Sequence, residues 1–166
     1  MPSPSAVVRN VRQNHALEHA TVHILSRMHA GVRMLGRSDA RGFILMGALE
    51  TDAVRCAVEE GLARLNGNEP WLATHPLCGT NLAAAALVLG GAAWAAVSLP
   101  ARSRGLRLLR GALALGAVWP LAQQAGPLAQ QHLTTTPEVR GAHLVEVRAE
   151  RRGPLLVHRV IVAHDL

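Results

Sequence analysis

The chain has 166 residues, enough for one hydrophobic core, and a formal net charge of +6. Its apolar half is mostly Ala, Leu and Val, with one Phe, three Trp and no Tyr. That argues against an aromatic-rich soluble core and suits small-residue helix packing in a membrane. All seventeen basic residues are Arg, a compositional bias that lowers the weight of any one Arg. No recognition motif accompanies the charge, so the expected partner is a lipid bilayer rather than nucleic acid.

Residues 1–9 carry two prolines and read as a flexible tail without the apolar core of a signal peptide. The rest, 10–166, reads as a single α+β domain interrupted by a membrane helical hairpin at about 82–130. The spacing predicts a helix from Asn10 to His29, with Gly31 as its stop. Three histidines and a glutamate fall within nine residues of it. At about 100° per residue, His15, His19 and His23 line one side, with Glu18 at its edge. Imidazoles one turn apart are a common helix-borne metal pair. His15-x-x-Glu18-His19 also has the form of the inverted zinc-peptidase motif, in which two histidines bind zinc and the glutamate activates water.

Residues 32–36 and 42–48 read as a β-hairpin across the turn 37–41. Thr51 is expected to cap a helix over about 52–65, with Val54, Ala57, Val58, Leu62 and Leu65 inward and Cys56 as a small core residue. His75-Pro76-Leu77-Cys78-Gly79-Thr80-Asn81 follows. Pro and Gly can aim an imidazole and a thiolate three residues apart to one side, which is a metal-ligand pattern.

Leu82 to Leu99 then runs eighteen residues without a charge, and Gly111 to Pro137 is free of Asp, Glu, Lys and Arg. About 20 apolar residues cross a bilayer, so the two runs predict a two-helix transmembrane hairpin with Arg102, Arg104, Arg107 and Arg110 at its turn and Pro120 and Pro127 breaking the second arm. The turn arginines favour a cytoplasmic turn. The long N-terminal region without a signal peptide favours cytoplasmic termini, and the latter is the expectation. Period-two stretches at 143–150 and 155–163 predict a C-terminal β-hairpin, giving about four antiparallel strands. A hairpin returns the chain to the membrane face it left, so Asn81, Gln131, His132 and Thr134 are expected near the histidines.

The ligand choices stay open. His15, His19 and either His75 or Cys78 leave a fourth position for water, with Glu18 as general base. All four together close a structural site. His23 and His29 are secondary candidates, and the remaining histidines read as turn or strand residues. Thr134-Thr135-Thr136 is a helix-end cluster or a source of substrate contacts.

His15-Ala-Leu-Glu18-His19, His75-Pro-Leu-Cys78-Gly79-Thr80-Asn81, an apolar hairpin and Gln131-His-Leu-Thr134-Thr135-x-Pro137-Glu138 occur in that order. This resembles the YqhQ-like group, an uncharacterised family of bacterial multipass membrane proteins described as metal-dependent enzymes. The chain is more similar still to a shorter uncharacterised sister family of about this length. Ala20 stands where the YqhQ-like helix has Lys, and Asn81 where it has Ser. The resemblance implies a metal site and no particular reaction. The combined expectation is a membrane-surface zinc hydrolase, most concretely a peptidase on a peptide or lipid-linked substrate. Its ligands are His15, His19 and His75, with Cys78 a fourth ligand or a group supporting them; its base is Glu18, and Thr80, Asn81, Gln131, Thr134 and Thr135 contact the substrate or support the ligands. The alternative is a non-catalytic membrane protein with a structural His/Cys metal site.

Overall fold

A computed structural model describes residues 3–153 and 155–165. The chain forms two compact units. One comprises the described residues up to His75 and from Gln131 onward; the other is Pro76–Gln130.

The first unit is an α+β layer. Helix α1 spans Pro4–Met28. It starts at Pro4 rather than Asn10 because the Ser3 hydroxyl accepts the Ala6 N–H at 3.2 Å and proline fills a first-turn position that needs no donor. Strands β1 (Leu35–Asp39) and β2 (Gly42–Gly47) form the first hairpin. β1 lies further along the chain than the predicted 32–36 because the turn is only Ala40-Arg41. The Asp39 carboxylate accepts the Arg41 N–H at 2.8 Å, and Gly42 takes φ +136°. Arg159 grips Asp39 through bonds of 2.6 and 2.9 Å and holds its carboxyl below the usual range.

Helix α2 is Thr51–Asn66. Glu50, not Thr51, occupies the cap position, and the Thr51 hydroxyl lies 3.4 Å from His158 Nε2. Val54, Ala57, Val58 and Leu65 face inward as expected, but Cys56 is exposed, on the face that carries Asp52 and Glu59. Strands β3 (Ala142–Arg152) and β4 (Leu155–His164) form the second hairpin. The sheet is antiparallel throughout, in the order β1-β2-β4-β3, with a bulge between Leu144 and Glu146. Leu17, Leu25, Phe43 and Leu45 are fully buried, each contributing about 1.5–3 kcal/mol of burial. Gly61 lets α2 approach α1 closely: a Cβ there would lie 3.3 Å from Ala20 Cβ and from Leu17 Cδ1.

The second unit is a pair of packed helices, α3 (Gly79–Ser98) and α4 (Arg104–Ala129), followed by a π-type turn at Gln130–Thr134. α4 begins before the predicted Gly111 because the Ser103 hydroxyl accepts the Leu106 N–H at 3.1 Å. Pro120 and Pro127 both lie inside it. At the open end, Gln130 Nε2 donates to Asn81 Oδ1 at 2.5 Å, and a Cβ on Gly126 would collide with Asn81.

Among the described residues, α3 alone is long and apolar enough to cross a membrane. α4 carries Arg104, Arg107 and Arg110 in its first turns and Gln123 and Gln124 further on, which lowers its hydropathy. The predicted two-helix transmembrane hairpin is therefore corrected to a helical hairpin with one candidate span. Ala96 is the sole buried residue of α3, while Leu82, Leu87, Trp94, Leu108, Leu113 and Trp119 are exposed on the pair.

Candidate metal centre

α1 is buried on more than one side, and its two polar edges go to different places. On one edge, Asn14 Nδ2 donates to the Asp39 carbonyl at 2.8 Å and its Oδ1 lies 3.0 Å from His164 Nε2. Glu18 follows on that edge. Its carboxylate is buried, accepts the Ser38 hydroxyl, and lies over Gly36, where a Cβ would collide with it. The glycine in β1 is what makes room for the acid.

The other edge holds the histidines. The ring centroids of His15 and His19 are 4.4 Å apart, and a ring nitrogen of each lies within 4.8 Å of the other, a pair that could hold a metal ion. His75 stands opposite, 5.8 Å from His19 and 4.8 Å from His23 between centroids. Two imidazoles on one tetrahedral ion, each with a metal–nitrogen distance of about 2.0–2.1 Å, have centroids about 5 Å apart. The observed separations bracket that value.

Backbone carbonyls orient the rings. His15 Nδ1–H donates to Thr134 O at 3.0 Å, His19 Nδ1–H to Ala73 O at 2.8 Å, and His23 Nε2–H to Thr74 O at 2.8 Å. A carbonyl only accepts, so each bonded nitrogen carries a proton. This is the outer-shell arrangement that fixes the tautomer of a metal-binding histidine. Burial, followed by the neighbouring His23 and His19, pushes the His75 pKa down to about 4, so its ring is neutral near pH 7. The Thr134 hydroxyl oxygen is buried with no hydrogen-bond partner among the described residues, a polar vacancy on the very residue that orients His15. The donor set, the tautomers and this orphaned hydroxyl all fit a borderline divalent cation.

The segment that carries Thr134 is held in turn. Arg12 donates to Thr135 O at 2.9 and 3.2 Å and to His132 O at 3.2 Å, while Thr136 N–H donates to Arg12 O and Gln13 Nε2 to Glu138 O. Residues 132–138 are thus strapped along α1. Gln131 and His132 are exposed, whereas Thr135 is buried. In the other unit, Cys78 caps α3, its sulfur accepting the Thr80 N–H at 3.4 Å, and Asn81 Nδ2 donates to Pro76 O at 2.8 Å. A cleft of about 600 Å³ runs between the start of α3 and the end of α4, lined by Cys78, Asn81, Leu82, Gln123 and Pro127 among others.

Sequence reasoning kept His23 only as a secondary candidate, although its position one turn beyond His19 was the available signal. It missed Arg12 and Ser38, whose partners are remote in sequence. His29 ends α1 as its cap residue.

The fold and site define a small α+β protein with an apolar helical hairpin and a histidine cluster on its first helix. The chain belongs to the family described as a domain of unknown function (DUF6391), which it matches over residues 10–147. It is similar to an uncharacterized protein of the cyanobacterium Picosynechococcus sp. (strain ATCC 27264 / PCC 7002 / PR-6), with 34% identity over 134 residues, covering 75% of this chain and 65% of that protein. The match therefore spans just under two thirds of the relative's length. These matches carry no link to the YqhQ-like group, whose likeness rests on the motifs alone. No solved structure matches the chain.

Proposed function

We propose that the protein binds a divalent metal, zinc being the expected ion, in a hydrolase site. The observation that carries the reading is the set of three neighbouring α1 imidazoles, each with one ring N–H tied to a backbone carbonyl. His15 and His19 are the first two ligands. His75 or Cys78 completes three, Cys78 following His75 by three residues in the chain. The ion would supply Lewis acidity and a bound water of lowered pKa. Glu18, which the His15-x-x-Glu18-His19 pattern nominates as base, is held by Ser38 on the other edge of α1 and would have to leave that bond to take up a proton from the bound water. The Thr134 hydroxyl is a free donor for a substrate carbonyl. The substrate class is a peptide or a lipid-linked molecule, as the motif and the apolar hairpin suggest.

The membrane part of the reading is that α3 spans the bilayer and α4 accompanies it, with both termini cytoplasmic. The exposed Leu and Trp side chains of the pair support it, as does the small-residue approach at Gly126. The site then lies at the membrane surface, because only Pro76, Leu77 and Cys78 separate His75 from α3 in the chain. The YqhQ-like motifs favour the same class of site. A closed structural site of His15, His19, His75 and Cys78 is the second reading, favoured by the His75-x-x-Cys78 spacing.

Metal analysis of purified wild type, Glu18→Gln and Cys78→Ser protein tests the proposal. The catalytic reading expects Glu18→Gln to keep its metal and lose the cellular phenotype. A wild type that purifies metal-free without chelators refutes both metal readings. Recovery of the protein in the supernatant after carbonate extraction refutes the membrane reading.

A further inference from the structure

We infer that His23 and His75 hold a second divalent ion, one imidazole pair along from the ion on His15 and His19. This rests on the metal-centre reading and adds a site to it. The four rings fall into two close pairs, 4.4 Å for His15 and His19 and 4.8 Å for His23 and His75, with a wider 5.8 Å between His19 and His75.

Helix geometry explains why one ion cannot collect all of them. His15 and His23 are eight residues apart, about 12 Å along the axis. An imidazole bound through Nδ1 reaches only a short way from its Cα, and His23 must use Nδ1 because its Nε2–H is committed to Thr74 O at 2.8 Å. His23 nevertheless has the same outer-shell carbonyl bond as His15 and His19, which a merely exposed histidine does not need. The edge of Trp71, 5.6 Å away between centroids, limits the ring's freedom on its other side. His75 therefore stands 4.8 Å, between centroids, from a ring whose Nε2 proton is already fixed. With water completing the shell, the pair suits a borderline cation such as zinc, cobalt or nickel.

The test is titration of metal-stripped full-length protein in detergent with cobalt(II) chloride, followed by calorimetry and by the cobalt absorption spectrum. Wild type is expected to bind two equivalents. His23→Gln, whose amide can keep the bond to Thr74, and His75→Ala are each expected to bind one. A wild type that binds one equivalent, or a His23→Gln variant that still binds two, overturns the second ion while leaving the first site standing. A wild type that binds no cobalt overturns both.

Discussion

Gly36→Ala strikes at the packing that holds the proposed base. The added methyl must occupy the space of the Glu18 carboxylate, so either the strand or the acid moves. Overpacking of this kind costs about 1–3 kcal/mol. Displacing Glu18 also loses the Ser38 hydroxyl's bond to a charged acceptor, about 1.5–3 kcal/mol when buried. The two costs overlap because one movement causes both, so a loss of about 2–4 kcal/mol is expected. In a chain of this size that lowers Tm by roughly 5–15 °C. Thermal unfolding in detergent would measure it. The decisive comparison is a double-mutant cycle with Glu18→Ala, which removes the clashing group. Gly36→Ala should then cost little, and the coupling should be roughly 1–3 kcal/mol. A Gly36→Ala variant that unfolds within about 1 °C of wild type, or costs that simply add, would refute the placement of Glu18 against β1.

Other expectations follow from the same packing. Arg12→Met should free the carbonyls of His132 and Thr135, loosen the segment that carries Thr134 O between them, and so weaken metal affinity roughly 10–100-fold, read by competition with a chromophoric chelator. Gly126→Leu should separate α3 from α4 and break the Asn81–Gln130 bond; disulfide trapping of introduced cysteine pairs along the two helices should fall, and unchanged trapping would count against the close approach. Burial lowers the pKa of His158, so the folded chain binds fewer protons there than the unfolded chain. Its contribution is full above the ordinary value of about 6.5 and is lost as pH falls below it, with a slope of at most about 1.4 kcal/mol per pH unit. His158→Gln should flatten the fall of Tm between pH 6.5 and 5, and an equally steep fall would exclude this source.

Local chemistry made much of the fold legible. The period of α1, the turn chemistry within 37–41 and the two C-terminal period-two runs each write their element into adjacent residues. The shift of β1 was not legible because it depends on a two-residue turn and on Arg159, far away in the chain. The exposure of Cys56 was hidden because a small residue on an amphipathic helix carries no sign of its own face. At the site, the His15 and His19 pair was visible as a one-turn spacing. Its carbonyl partners were not, since Ala73, Thr74 and Thr134 act through backbone oxygens that any residue offers. The second arm of the hairpin misled because the absence of charge from Gly111 onward was read as a span, whereas α4 starts among arginines and carries glutamines that reduce its hydropathy.

Elemental analysis of full-length protein, purified without chelators beside a His15→Ala/His19→Ala variant, tests the central claim most directly. The account predicts stoichiometric transition metal in the wild type and a loss of at least one equivalent in the double variant, with the variant still folded by circular dichroism. Equal metal content in the two proteins, or none in either, would contradict it.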